Sequence, residues 1–160
     1  MNLDALIEDL EAEGYFASKV QTAEEATIEF CKSALVVRVN TADIQLALPL
    51  LGKDFIAGFQ NRRSRSTWLI IQHYDYLQPQ DSGTSLQQAK LSIKTIIEAH
   101  LIGTALSIGL GAANSEQIGF ITSVIGNQIE FISYEGLVFW IPMKNIDYLA
   151  VEKLSIESKV

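Results

Sequence analysis

The chain has 160 residues, of which 48% are hydrophobic and 19% are charged, a composition that excludes a generally disordered protein. Its formal net charge of −7 repels phosphate backbones, so RNA binding is disfavoured. The longest apolar run, at 101–113, is shorter than the roughly 20 residues of a membrane-spanning helix, and the single cysteine, Cys31, excludes an internal disulfide. We therefore expect a cytoplasmic protein with no membrane association.

The first forty residues predict a helix followed by an ambiguous segment. Apolar residues at positions 3, 6, 7 and 10 have helical spacing, which predicts a helix over 2–14. Residues 22–39 fit either a capped helix that leads into a strand or two strands, at 27–30 and 34–39, joined by a tight turn at 31–33. From Leu35 onward β-branched residues dominate and predict a strand.

The rest of the chain predicts two runs of strands separated by one helix. Apolar runs with polar breaks predict strands at 43–50, 54–59, 67–71, 74–77, 104–110, 117–125, 128–133, 137–143 and 146–151. The polar composition of residues 78–84 predicts a linker. An apolar stripe behind a capping box at Ser85 and Gln88 predicts a helix over 85–100. The uncharged segment 105–113 is predicted to be an exposed sheet edge covered by self-association.

A sequence phrase occurs twice, 72 residues apart. Trp68 and Trp140 are the only tryptophans, and each opens a segment that closes on Asp-Tyr-Leu: "WLIIQHYDYL" and "WIPMKNIDYL". The segments 43–55 and 117–129 also align. This pattern predicts an internal duplication, with one helix-plus-barrel unit over 1–80 and a second over 81–160, packed as one compact body. The predicted fold class is α+β, mainly β, with two tandem small barrels of five strands each.

The second unit resembles a known family. Over 105–151 it has a glycine in the second strand (Gly119), a turn leading into a hydrophobic third strand (126–132), and a final strand with Ile146, Leu149 and Val151. These features are similar to the Sm-like (Hfq-like) small β-barrels. The resemblance implies a helix followed by five strands, assembly into rings through edge strands, and RNA binding. The Tyr-Lys-His segment of the Hfq type is replaced at 142–145, so no RNA-contacting residue is carried over.

The N-terminus resembles a second family. The segments "LIEDLEAEGYF" and "ATIEFCKSALVVRV" are similar to the start of type III secretion chaperone-like α+β proteins. That resemblance implies an acidic dimer that binds extended segments of a protein partner. It also implies that the helix over 85–100 is the central helix of a single domain.

Two groups of residues are candidate binding residues. Arg62, Arg63 and Arg65 cluster in an otherwise acidic chain and suit a phosphate or an acidic partner segment, although a solvated hairpin tip has the same composition. Trp68 and Trp140 are candidate stacking platforms, and the alternative for both is a role as core or interface filler.

No catalytic, metal-binding or cofactor-binding pattern is predicted. His73, His100 and Cys31 are far apart in sequence, and the chain has no Gly-x-Ser-x-Gly motif. The predicted function is therefore a non-catalytic interaction or assembly module that forms a homo-oligomer. An Sm-like RNA-binding protein is the first alternative, and a secretion-chaperone-like binder of a protein partner is the second.

Overall fold

A computed structural model describes residues 5, 8–9, 12, 19–21, 26–28, 34–39, 42–62, 65–79, 87–111 and 115–152. Strands dominate these residues, which confirms the mainly β fold class. The strands are β1 (Lys19–Gln21), β2 (Ala26–Ile28), β3 (Ala34–Val39), β4 (Ala42–Leu51), β5 (Ile56–Arg62), β6 (Arg65–Ile71), β7 (Tyr76–Pro79), β8 (Gln87–Gln88), β9 (Ala105–Leu110), β10 (Ser115–Ile125), β11 (Gln128–Ser133), β12 (Val138–Pro142) and β13 (Ile146–Glu152). The helical segments are α1 (Ile93–Ile96), a π-helical turn (Ile97–Leu101) and a 3-10 turn (Met143–Asn145).

One large sheet contains all of these strands except the β1–β2 pair. Its order is β12-β11-β10-β9-β13-β6-β5-β4-β3-β7, all antiparallel, with β8 added to β4 in parallel. Within the described ranges β12 and β7 end this order and do not pair with each other, so the sheet is open. The predicted pair of closed barrels is therefore not confirmed. None of the helical segments in these ranges has the length and apolar composition of a membrane span.

The sheet consists of two halves with the same strand order. The first half comprises β3 to β7 and the second comprises β9 to β13. If the five strands of each half are numbered in chain order, their order across the sheet is fourth, third, second, first, fifth in both halves. The halves meet where β6, the fourth strand of the first, pairs with β13, the fifth strand of the second. We call this pairing the joint. Its register places Trp68 opposite Val151 and Ile70 opposite Leu149, and the Gln72 amide donates to the Asp147 carbonyl at 2.8 Å.

Alternating side chains on the two faces of the sheet form two cores. The first core lies inside the first half and contains Leu35, Val37, Leu46, Ile56, Leu69, Ile71 and, from the second half, Ala150. The second core, which we call the shared core, combines three groups: the outer face of the first half (Leu50, Ala57, Phe59, Trp68, Ile70), α1 with its flanking residues, and the inner face of the second half. Part of the outer face of the first half therefore belongs to the interior of the second half.

The central helix begins later than the sequence predicts. Instead of starting at residue 85, α1 starts at Ile93, with Ser92 as its N-cap accepting from the Thr95 amide at 3.2 Å. Gln87 and Gln88 form a strand beside β4, and the Ala89 amide donates to the Leu51 carbonyl. Pairing with an available sheet edge satisfies these backbone groups, so tertiary structure overrides the local helical pattern.

The predicted exposed edge at 105–113 is wrong. Strand β9 lies between β10 and β13, hydrogen-bonded on both sides, and Leu106 and Ile108 are buried. Gly109 has a packing role here, because the Tyr148 ring occupies the space a side chain would need. Tyr148 also donates a hydrogen bond to the Glu116 carboxylate across this sheet.

Several predictions fall wholly or partly outside the described residues. Of the helix predicted over 2–14, residues Ala5, Glu8, Asp9 and Ala12 are described and are helical. The boundary between the predicted units and most of the linker, residues 80–86, lie outside the described residues. The ambiguous segment 22–39 is described at 26–28 and 34–39, which form β2 and β3, in agreement with the two-strand alternative. The β3–β4 hairpin carries the Arg38–Asp43 ion pair at 2.8 Å, and this hydrogen bond to the carboxylate raises the pKa of Arg38.

Candidate interaction surface

Three neighbouring strands of the second half present apolar side chains to the outside. Residues directly opposite each other in a sheet share a face, and the register aligns Phe120 with Ile132 and Ile132 with Val138. Ile118, Tyr134 and Trp140 lie on the same face, where the charged residue Glu130 is directly opposite Trp140. We call the six apolar residues the outer apolar face. The alternate residues on β11, including Ile129 and Phe131, point inward and are fully buried.

The outer apolar face is substantially exposed. The exposed fractions are 49% for Ile118, 62% for Tyr134, 53% for Val138 and 52% for Trp140. These four residues expose on the order of 400 Å², within the roughly 300–600 Å² of the largest patch on a typical monomer, which is often functional. The rings of Phe120 and Tyr134 pack edge to face with centroids 5.4 Å apart, so these two side chains form a continuous surface.

The two tryptophans predicted as candidate binding residues lie in contrasting environments. Both are on the fourth strand of their half and on its outer face. Trp68 is only 2% exposed, in contact with Phe59 and within the shared core, so it offers no surface on which a ligand could stack. Trp140 is half-exposed and belongs to the outer apolar face. Of the two, Trp140 is the one available to a partner.

Two members of the arginine cluster, Arg62 and Arg65, lie at the end of the β5–β6 ladder, where they are Cα partners. Arg63 and Ser64 lie between them and outside the described residues. Arg62 and Arg65 therefore lie at one end of the β5–β6 ladder, in a different part of the sheet from β12, which carries Trp140.

The two ends of the sheet each leave one strand edge unpaired within the described ranges. These strands are β12, the fourth strand of the second half, and β7, the fifth strand of the first. Each contains a proline, Pro142 in β12 and Pro79 in β7. Proline lacks an N–H donor and is typical of edge strands, where it reduces unwanted pairing. A further strand that paired with either edge would therefore lack the hydrogen bond that the proline nitrogen cannot donate.

A polar cleft lies at the joint, where loops of both halves meet. Gln72 donates through Nε2 to the Met143 carbonyl at 3.1 Å. The Nε2 atom of His73 lies 2.6 Å from the Lys144 carbonyl oxygen and 3.2 Å from Gln72 Nε2. The cleft beside His73 has a volume of about 820 Å³ and includes Asp54 and Lys94.

The polar groups described at the joint connect the two halves. The side chains of Gln72 and His73 are engaged with backbone carbonyls of the 3-10 turn. Across the described part of the chain, no three His, Cys, Asp or Glu side chains are grouped closely enough to hold a metal ion. The contacts of Gln72 and His73 with the 3-10 turn hold the loops of the two halves together.

Most of the outer apolar face was not predicted from the sequence. Only Trp140 was singled out, because tryptophan is rare and repeated. Ile118, Tyr134 and Val138 lie in segments correctly predicted as strands, but their pattern did not show which face would stay uncovered. The repeat was the one available signal. Trp140 corresponds to Trp68, and Trp68 is buried only because the second half packs against it. The chain matches no protein-family model and no curated protein sequence.

Proposed function

We propose that this protein is a non-catalytic assembly module that associates with further copies of itself. The observation that carries the proposal is the joint, in which the fourth strand of one half pairs with the fifth strand of the other. Among the described strands, β12 and β7 are of the same two kinds, and each has one edge without a partner in that order. A second copy can therefore add its β7 to β12 by repeating a contact that already exists within the chain. Such head-to-tail contacts generate rings or filaments.

We further propose that the two halves are duplicated Sm-like units. The identical strand order of the halves supports this proposal, as do the corresponding positions of Trp68 and Trp140. The 3-10 turn at Met143–Asn145 immediately before the last strand of the second half also agrees with a tight strand connection of this kind. Under this proposal the joint is an assembly contact that has become internal through duplication.

The prolines limit how strong an edge contact can be. In the joint, the Gln72 amide donates a hydrogen bond to the Asp147 carbonyl. In an antiparallel ladder, residue pairs joined by hydrogen bonds recur at every second position. Trp68 and Ile70 are therefore the positions of β6 that bond across the joint. At an offset of 72 they correspond to Trp140 and Pro142, and Pro142 cannot donate. We expect an association of micromolar strength from the edges alone, because each missing bond lowers the net stabilisation by about 1 kcal/mol.

The experiment that tests self-association measures mass as a function of concentration. We expect sedimentation velocity and light scattering between about 1 and 200 μM to give multiples of 17.7 kDa at the upper end, as a micromolar dissociation constant implies. A variant with Tyr76→Lys and Gln78→Lys adds charge to β7 and should shift the transition to higher concentration. The matched control is Thr95→Lys with Asn127→Lys, which adds the same charge at exposed sites outside both edges. A constant mass of 17.7 kDa throughout would overturn the proposal.

RNA binding is the second candidate function, supported by the placement of Arg62 and Arg65 opposite each other at the end of the β5–β6 ladder. The net charge of −7 opposes it. The secretion-chaperone-like alternative has less support, because it requires a long central helix over 85–100 and α1 begins only at Ile93.

A further inference from the structure

The outer apolar face lies in a part of the chain that has acidic but no basic side chains. Residues 95–143 contain no lysine or arginine, and they include all four strands from β9 to β12. Glu116 is two positions before Ile118 on β10, and Glu130 is two positions before Ile132 on β11, so both carboxylates share the face with these apolar residues. The face is therefore bordered by negative charge along its strands.

One carboxylate is held directly beside the exposed tryptophan. Glu130 is opposite Trp140 in the β11–β12 ladder, and Thr122 Oγ1 donates to Glu130 Oε1 at 2.7 Å, which orients the carboxylate. A carboxylate accepts several hydrogen bonds through its two oxygens, and an indole ring attracts cations to its face. Lys144 lines a cleft with Trp140, but Asp147 lines the same cleft and offsets its charge. The pair of Glu130 and Trp140 therefore suits the cationic side chain of a partner.

The size of the face fits a short helix. Its exposed area, on the order of 400 Å², is about half of the roughly 800 Å² that each partner buries in a stable interface between globular proteins. The face is three strands wide, which is about 10 Å between the outer two strands and close to the 10–12 Å diameter of a helix. A helix satisfies its own backbone hydrogen bonds, whereas an extended segment would find no partners for them on a sheet face.

We infer that the outer apolar face binds a short amphipathic helix of a protein partner, with lysine or arginine beside its apolar stripe. Apolar residues of that helix, spaced three and four positions apart, pack on the apolar side chains of the face. A basic residue next to the stripe pairs with Glu130 and lies on the Trp140 ring. The carboxylates of Glu116 and Glu130 repel an anionic membrane surface, so a basic protein segment is the complementary occupant. This inference uses no strand edge and does not depend on the proposed self-association.

Two synthetic peptides test the inference on the unmodified protein. Both are helical, about 16 residues long and free of tryptophan, with the same leucine stripe, and they carry either lysine or glutamate at the flanking positions. We expect the lysine peptide to bind with a dissociation constant on the order of 10–100 μM, because the face is small, and the glutamate peptide to bind at least about tenfold more weakly. Binding should move the emission of Trp140 to shorter wavelength and reduce its quenching by acrylamide, whereas Trp68 is already buried.

Paired substitutions separate the charge of the face from its apolar surface. Glu130→Gln keeps the shape of the side chain and should raise the dissociation constant of the lysine peptide about fivefold. Its matched control is Glu98→Gln, which removes the same charge at an exposed site on the π-helical turn. Trp140→Ala should raise the dissociation constant at least about tenfold. Tyr76→Ala removes an aromatic ring of similar exposure on β7 and should leave binding unchanged. Anisotropy of labelled peptides measures all four variants, and thermal melts verify that each is folded.

Each outcome supports or overturns the inference. It holds if the lysine peptide binds more tightly than the glutamate peptide and if Glu130→Gln and Trp140→Ala weaken that binding while their controls do not. Equal binding of the two peptides overturns it, as does binding that neither substitution weakens, or no binding of the lysine peptide at about 1 mM. Two further results assign the face to another occupant and also overturn it. These are shielding of Trp140 by vesicles of anionic lipid, and shielding that rises with the concentration of the protein alone.

Discussion

At the scale of single residues, close backbone approach determines which positions accept substitution. Gly119 on β10 is opposite Ser133, and a Cβ atom there would lie less than 3.0 Å from the backbone of Ile132 and Ser133. A flexible side chain could move away, but a backbone carbonyl in the middle of a ladder cannot. The sequence marks this glycine, because it interrupts a segment whose pattern predicts a strand.

Replacing Gly119 with alanine should therefore destabilise the protein. We expect Gly119→Ala to lower the free energy of unfolding by about 1–3 kcal/mol, the usual range for overpacking. Chemical denaturation followed by circular dichroism measures this change. Gly126→Asn is the control, because Gly126 has open space around it and a φ of +59° that asparagine tolerates. Equal midpoints for Gly119→Ala and the wild type would contradict the prediction.

A second residue-scale prediction concerns the buried hydroxyl of Thr67. Its side chain is fully buried, and its Oγ1 has no hydrogen-bond partner among the described residues. Valine has the same shape without the cost of desolvating a hydroxyl, so Thr67→Val should raise the free energy of unfolding by about 1 kcal/mol. The control is Thr104→Val, since Thr104 donates to the His100 carbonyl at 3.4 Å and should gain nothing. A loss of stability in Thr67→Val would show that this hydroxyl has a partner.

At the scale of elements, the sequence predicted strands well and the helix poorly. The predicted strand at 128–133 coincides with β11, and that at 146–151 differs from β13 by one residue. Alternation within a strand is a local property, so it is readable from the sequence. The start of α1 is not local, because it depends on β8 pairing with β4 and on Asp54, which lies 39 positions before Ile93 in the chain.

The cap of α1 gives an element-scale prediction. The Ile93 amide donates to Asp54 Oδ1 at 2.8 Å, and the Thr95 amide donates to Ser92 Oγ. We expect Asp54→Ala and Ser92→Ala each to lower the free energy of unfolding by about 1 kcal/mol, because each leaves an amide at the helix start without its acceptor. Glu98→Gln is the control, since its contact with Lys94 at 4.0 Å is exposed and contributes less than about 0.5 kcal/mol. Unfolding titrations of the four proteins decide the question.

At the scale of the whole molecule, the repeated strand order was readable from the sequence only in outline. The repeated phrase around Trp68 and Trp140 indicated corresponding strands, and the structure places both on fourth strands. The pairing of β6 with β13 was not predictable, because no local pattern specifies contacts between residues about 80 positions apart. The outer apolar face was missed for the same reason, since exposure there depends on which strand neighbours which.

The arginine cluster gives a whole-molecule prediction about RNA. Three arginines neutralise at most about three phosphates, so any binding to single-stranded RNA should weaken with salt at a log–log slope of roughly −2. We expect no binding tighter than micromolar for either U-rich or A-rich oligonucleotides at low salt, because the net charge of −7 opposes it. Fluorescence anisotropy with the wild type and an Arg62→Ser, Arg63→Ser, Arg65→Ser variant measures this. Tight binding that the triple variant loses would make RNA binding the leading function.

The joint also affects how the protein must be made. Strand β6 ends at Ile71, but β13, which covers it, ends only at Glu152. A ribosome that adds 5–20 residues per second needs roughly 4–16 s to synthesise the intervening segment of about 80 residues. During that interval Trp68 and Ile70 of the first half are exposed, because β13 has not yet been synthesised. The protein should therefore depend more on chaperones during its synthesis than after it, and slowing translation of 72–152 should increase aggregation of the nascent chain.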